Sequence, residues 1–149
     1  MLPRAHAGLA ALSAQPQVDK QQMAAIGFCL GGMVALELAR SGADLKGVVS
    51  FHGGLATTQP AGAGRTKAKI LVCHGTLDPF TTVENVVVFV SEMQAVAVDF
   101  QVILYGGATH GFTNPAADHS GRPGVAYHAS SDVRSWAAMR QFLAELFGS

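Results

Sequence analysis

Cys29, Asp78 and His110 each follow an apolar run, and each has glycine close by in the chain. Cys29 lies in AIGFCLGG, residues 25–32, with Gly27 two positions before it and Gly31 two positions after. A nucleophile at the apex of a sharp strand-to-helix turn requires small neighbours at those two places, because the backbone there is bent and strained. The helix beginning at the bend points free N–H groups and its positive end at the sulfur, which favours thiolate over thiol. With Gly27, Phe28 and Gly31 forming this elbow, the backbone N–H of Leu30 becomes one donor to a developing oxyanion. The order cysteine, aspartate, histidine suits nucleophilic catalysis: His110 takes the thiol proton, and Asp78 holds the imidazole tautomer and stabilises its charged form.

Each residue taken alone has a plainer explanation. The glycines could cradle phosphate or simply allow tight strand–helix packing around a small buried Cys29. However, the phosphate-loop lysine followed by Ser or Thr is missing, and no G-x-G-x-x-G pattern reads here. Asp78 before Pro79 suits a turn, and His110 stands in a Gly-rich loop. It is the joint order at successive strand ends that favours catalysis. His52 and His74 also end strand-like runs, just before glycines, and read as packed or hydrogen-bonded to backbone. Cys73, inside an apolar run, reads as a small buried hydrophobe.

The elements that position these residues read as helix, strand, helix, strand, strand, helix, strand, helix. Residues 3–15 are helical in pattern; QMAAIGF is a strand, and GMVALELARSG is a helix capped by Gly42. KGVVSFHGG and KAKILVCHG are strands separated by the Gly/Pro-rich loop LATTQPAGAGRTK. After TLDPF, Thr81 and Glu84 have capping-box spacing, and Val83, Val86, Val87 and Val90 form a helical stripe. DFQVILYGG is the fourth strand, ATHGFTNPAADHSGRPGVAY a long loop, and Trp136, Met139, Leu143, Leu146 and Phe147 mark one face of a last helix. Alternating strands and helices predict an α/β fold with a mostly parallel sheet of about four strands, whose ligands gather beyond the strands' carboxyl ends.

A chain of 149 residues fits one domain with a real core. Hydrophobic residues at 49% against charged ones at 13% suit strands buried on both faces. Zero formal net charge and no basic run argue against nucleic acid as a partner. No apolar stretch is long enough to span a bilayer, so no membrane partner is expected. The N-terminal MLPRAHAGLAAL lacks signal-peptide features, and two cysteines suit a reduced, cytoplasmic setting. No Cys/His spacing suggests zinc, so neither metal nor cofactor is expected.

GFCLGGMVALELA, VVSFHGGL, KILVCHGTLDPF and YGGATHGFTNP, spread over nearly the whole chain, resemble the dienelactone hydrolase family of α/β-hydrolases. The resemblance implies that Cys29, Asp78 and His110 form a triad hydrolysing a small ester or lactone through a thioester acyl-enzyme. Phe80, Phe112 and Asn114, beside the aspartate and histidine, are expected to line the substrate pocket. Family domains have further strands before the nucleophile strand, so residues 1–149 read as one truncated α/β-hydrolase domain, from nucleophile strand to C-terminal helix. The absent strands would carry a second oxyanion donor, which makes weak activity the expectation. Four residues beyond His110, where true dienelactone hydrolases carry a substrate-gripping arginine, this chain has Asn114, which favours a neutral ester. QMAAIGF would become an exposed edge, and a homo-oligomer covering it is expected. Two other readings stay open on the sequence: a catalytically silent remnant acting as an oligomeric module, and a redox-responsive thiol protein.

Overall fold

Strands β2 (Gly47–Phe51) and β3 (Lys69–Gly75) are nearly continuous apolar runs, and they take the middle of the sheet in the computed structural model, which describes residues 1–148. Beside them lie β1 (Ala24–Phe28) and β4 (Phe100–Tyr105), giving the order β1-β2-β3-β4 with every pair parallel. Side chains alternate between the two faces. Val48, Ile70 and Val72 pack with residues of α1 (Leu2–Ser13), α2 (Leu30–Ser41) and α3 (Val83–Ala95). Val49, Phe51, Leu71 and Cys73 pack on the other face with Phe112 and with Met139 and Phe142 of α4 (Ala129–Phe147). This is the four-stranded parallel α/β architecture expected, with a short 3-10 turn at Pro115–His119 inside the long loop.

Phe28, Phe51, Cys73 and Ile103 share one row across the sheet. All four carboxyl ends therefore reach one rim. The outer edge of β1 has no strand beside it among the described residues, and Ile26, Phe28 and Leu30 are exposed there. Among the described residues no helix is long and apolar enough to cross a membrane.

Helix ends depart from expectation where the rim competes for the same groups. Gly42 caps α2 in the left-handed conformation, φ 82°, as its place in the sequence predicts. The N-cap of α3 is Thr82, not Thr81, and the Thr82 N–H donates to Asn85 Oδ1 at 2.9 Å. Thr81 is occupied elsewhere: its N–H donates to Asp78 Oδ1 and its carbonyl accepts from His74 Nε2 at 2.7 Å. That bond also places His74 on backbone, as read. The buried stripe of α3 is Val86, Phe89 and Met93, with Val83 and Val87 exposed, because the helix starts later and rolls onto its C-terminal half. Trp136 is 51% exposed, whereas Ser131, Ser135, Met139 and Phe142 are buried, with Phe142 and Leu146 close against Gly47 of β2.

No helix links β2 to β3, and a buried cation pins the loop between them. The Arg40 side chain is 1% exposed, with its Nε and Nη2 on the Glu92 carboxylate at 2.9 and 2.8 Å and its Nη1 on Glu37 at 2.9 Å. Arg40 Nη2 also donates to the Leu55 carbonyl, and Glu92 Oε1 accepts the Ala61 N–H at 2.8 Å. Burial alone would raise the Glu92 pKa, but the bonds from Arg40 and Ala61 outweigh it and hold the carboxyl below its ordinary 4.5. The unfolded chain therefore binds the proton first, so this contribution is present above about pH 4.5 and is lost as pH falls through the folded-state value. Removing one partner of such a buried pair costs about 3–5 kcal/mol. Glu92→Ala should lose stability on that scale in urea at pH 7, and Glu92→Gln should flatten the acid limb of a urea-midpoint profile below pH 4.5.

Candidate active site

β1 breaks into α2 at Cys29, whose φ of 51° and ψ of −119° lie where L-residues rarely sit, at a cost of about 1–3 kcal/mol. Neighbouring backbone holds the bend: Cys29 N–H donates to Phe51 O at 3.1 Å, and Met33 N–H to Cys29 O at 3.2 Å. A Cβ at Gly27 would overlap the backbone of Gly31 and Gly32. A Cβ at Gly31 would meet nothing within 4 Å. The steric demand thus falls on Gly27, because Gly31 presents its backbone to Gly27 and its open side away.

Asp78 follows β3 in a tight turn. Its carboxylate is fully buried, with Oδ1 accepting the N–H groups of Phe80 and Thr81 at 2.9 and 3.2 Å. Oδ2 lies 2.8 Å from His110 Nδ1. Burial by itself raises the Asp78 pKa, but the His110 bond, the Phe80 N–H and the nearby imidazole charge together bring it below the ordinary carboxylate range. An ionised carboxylate only accepts, so Nδ1 of His110 carries the hydrogen and Nε2 offers its lone pair. Nε2 lies 2.9 Å from Cys29 Sγ. The His110 backbone is pinned by residues across the long loop: its N–H donates to Gly124 O, and the Ala126 N–H donates to its carbonyl. Gly124, at φ 75°, lays its α-carbon against Pro79, where a side chain would collide. The loops bearing Asp78 and His110 are therefore packed on each other.

The sulfur is not poised as the helix N-terminus alone predicts. Burial first, then the Asp78 charge, push the Cys29 thiol above its ordinary 9.0, against smaller downward pulls from the Leu30 N–H and Arg122. The resting group is a thiol facing an imidazole acceptor. Cys73 is fully buried and its thiol is pushed up to about 12 by that burial. It lies two strands from Cys29, about 10 Å by strand spacing, beyond the reach of a disulfide.

His52, read as merely packed, stands at the sulfur. Its Nδ1 is 3.5 Å from Cys29 Sγ and its Nε2 is 2.8 Å from Thr113 Oγ1. Burial, then the charge of His110, lower its pKa to about 4, so the ring is neutral near pH 7. The signal was present in the parallel pairing. Phe28 pairs Phe51, so the next residues, Cys29 and His52, must be neighbours. Cys29 Sγ, His52 Nδ1 and His110 Nε2 lie within 4.8 Å of one another, and no other such group of donors occurs among the described residues.

A cavity of about 500 Å³ opens over the sulfur, lined by Phe28, His52, His110, Asn114 and Arg122 among others. Asn114 lines this cavity. Phe112 does not: it is 0% exposed and sits in the core behind His52, ring centroids 5.2 Å apart, since the alternation of its loop turns it inward. Phe80 stands edge-on to His110 at 5.2 Å, with the Arg122 guanidinium 5.7 Å from its ring centroid. Thr113 and Arg122 carried no sequence signal, because both lie in an irregular loop.

The family model described as dienelactone hydrolase family matches residues 1–147. The chain belongs to the dienelactone hydrolase family. It is 40% identical over 147 residues to the uncharacterized protein K02A2.1 of Caenorhabditis elegans, covering 97% of this chain and 93% of that one. Among solved structures it is similar to a dienelactone hydrolase-like promiscuous phosphotriesterase from metagenomic libraries, at 48% identity and a TM-score of 0.91. It is likewise similar to a protein called m3DLH, at 49% identity and a TM-score of 0.90. Each match covers 96% of this chain and 60% of the solved one, so the chain spans less than two thirds of either.

The two elbow glycines should respond differently to the same substitution. Gly27→Ala forces α2 off the strand and should cost about 1–3 kcal/mol, the scale of overpacking. Gly31→Ala should leave stability unchanged or raise it by up to about 1 kcal/mol, as for Gly→Ala in a helix. Urea unfolding of both variants checks this; equal losses would contradict it.

Proposed function

We propose that this chain hydrolyses a small carboxylic ester or lactone through Cys29, His110 and Asp78. The observation that carries the reading is the unbroken relay from Cys29 Sγ to His110 Nε2 at 2.9 Å and from His110 Nδ1 to Asp78 Oδ2 at 2.8 Å. In the first step the thiol proton passes to His110 Nε2 as sulfur attacks the carbonyl carbon. The carbonyl oxygen becomes an oxyanion, toward which the Leu30 N–H is a donor. His110 returns its proton to the departing alkoxide, leaving a thioester on Cys29. Water then gives a proton to Nε2, its hydroxide attacks the thioester, and the carboxylic acid departs as sulfur regains the proton. Asp78 stays ionised throughout, locked by the Phe80 and Thr81 amides, and stabilises the transient imidazolium.

His52 is disfavoured as the base in this scheme, because burial keeps its ring neutral to about pH 4 and it has no carboxylate partner. Cytoplasmic residence and self-association over the open edge of β1 belong to the same proposal. The exposed Ile26, Phe28 and Leu30 give an apolar strip that a second copy would cover. Light scattering at micromolar concentration should then report a dimer or larger, and a well-folded monomer would remove that part.

Release of nitrophenol from a short-chain nitrophenyl ester tests the reaction. Cys29→Ala should abolish it, and His110→Ala should lower kcat by at least about 100-fold, the usual worth of a general base. Asp78→Asn should also lose activity while keeping Cys29 alkylatable. Equal background rates in the unaltered protein and all three variants would refute the hydrolase reading.

A further inference from the structure

We propose that Cys29, His52 and His110 form a three-ligand site for a thiophilic divalent cation, Zn²⁺, at the position otherwise open to substrate. The donors are one sulfur and two imidazole nitrogens, all within 4.8 Å of one another. Tetrahedral zinc with Zn–S of about 2.3 Å and Zn–N of about 2.0–2.1 Å places sulfur and nitrogen about 3.6 Å apart and the nitrogens about 3.3 Å apart. His52 Nδ1 already stands 3.5 Å from the sulfur. His110 Nε2, at 2.9 Å, needs to open by less than an ångström, and the two nitrogens, within 4.8 Å of each other, need to close to about 3.3 Å.

Both imidazoles have the outer partner that metal-bound histidines require. His110 Nδ1 is held by the Asp78 carboxylate at 2.8 Å, and His52 Nε2 by the Thr113 hydroxyl at 2.8 Å. The carboxylate directs the His110 lone pair toward the sulfur, and the tautomer in which His52 Nε2 donates to the Thr113 hydroxyl frees Nδ1 for the ion. The fourth position faces the cavity of about 500 Å³, where water or an anion completes the tetrahedron. A set of one sulfur and two nitrogens suits zinc and excludes the hard ions Mg²⁺ and Ca²⁺. When the Zn–S bond forms, the proton shared by Cys29 and His110 goes to solvent, one per ion bound. The ion then occupies both the sulfur and the His110 lone pair, so it acts as a reversible inhibitor and not as a cofactor. The site does not depend on the hydrolase reading, since it requires only the geometry.

The full chain, reduced with a non-thiol reductant and stripped of metal, is titrated with Zn²⁺ by calorimetry and by competition with a fluorescent chelator. One ion per chain should bind at micromolar affinity or tighter, with no response to Mg²⁺ or Ca²⁺. Co²⁺ in its place should give tetrahedral absorption bands with thiolate-to-cobalt charge transfer, a readout that needs no variant. Cys29→Ala should remove the charge transfer. His52→Ala and Thr113→Val should each weaken zinc by about 10-fold or more, the scale of losing even an outer partner. Melting curves separate misfolding from ligand loss. No saturable site, octahedral cobalt without charge transfer, or binding kept in Cys29→Ala but lost in His6→Ala or His119→Ala would each overturn the proposal. Ester turnover is followed separately: it should fall with occupancy and return on adding chelator. Zinc bound as described without any turnover would refute the hydrolase reading and leave the metal site standing. Turnover indifferent to saturating zinc would remove the site from Cys29 and His110.

Discussion

In-register pairing of β1 with β2 is the constraint from which the site follows. Because Phe28 lies beside Phe51, the residues that leave the two strands, Cys29 and His52, emerge as neighbours. The Cys29 N–H extends the ladder by donating to the Phe51 carbonyl, and His52 extends it again by donating to Cys73. A shift of one residue would turn every side chain of a strand to the opposite face. Packing on both faces fixes β2 and β3, and β1 is fixed on β2 by its ladder and by Gly27, whose place under α2 admits no side chain. The geometry at the rim therefore inherits its precision from packing below it. The strained backbone of Cys29 persists for the same reason: ladder bonds before it and helix bonds after it fix both sides of the bend.

Two imidazoles sit within reach of one sulfur, and their surroundings give them different chemistry. His110 is tied to an ionised carboxylate, a counter-charge for its positive form. His52 is tied to a hydroxyl, deeply buried and close to the first ring, so protonating it is costly. The same burial that silences His52 as a base leaves its lone pair free near neutral pH. Burial and then the Asp78 charge raise the Cys29 thiol, so the carboxylate that binds His110 also acts on the sulfur. The carboxylate that favours the charged imidazole thus disfavours the thiolate.

Much of the fold was legible because it rests on short-range chemistry. The apolar runs, the Gly42 cap and the strand–helix order all appear in the sequence at their observed places. What was misread depends on partners distant in the chain. Thr81 has cap chemistry, yet Asp78 and His74 claim its amide and carbonyl, so the cap moves to Thr82. Trp136 fits an apolar stripe by spacing, but the helix buries Ser131, Ser135, Met139 and Phe142 and leaves Trp136 exposed. Arg40 looks like an ordinary C-terminal helix cation, and nothing local announces that Glu92 and two loop backbone groups bury it. Three metal-capable donors escaped spacing rules for the same reason: they come from the ends of different strands, at separations of 23 and 81 residues from Cys29 to its partners.

Most of the cavity wall comes from the loop between β4 and α4, which contributes His110, Asn114, Arg122 and Val125. That loop is anchored through Leu77 N–H on the Ala108 carbonyl, Gly107 N–H on Thr76 Oγ1, the buried Phe112 and the seat of Gly124 on Pro79, while the His110 backbone bonds to Gly124 and Ala126 tie it to itself. Between those points the side chains facing the cavity carry no structural duty toward the core. Asn114 occupies the place where the resemblance implied an arginine, and a guanidinium enters the same cavity from Arg122 instead, resting against Phe80. The loop's architecture thus separates two requirements. The relay rests on the buried Asp78 and on backbone bonds, while Asn114 and Arg122 at the cavity take no part in it.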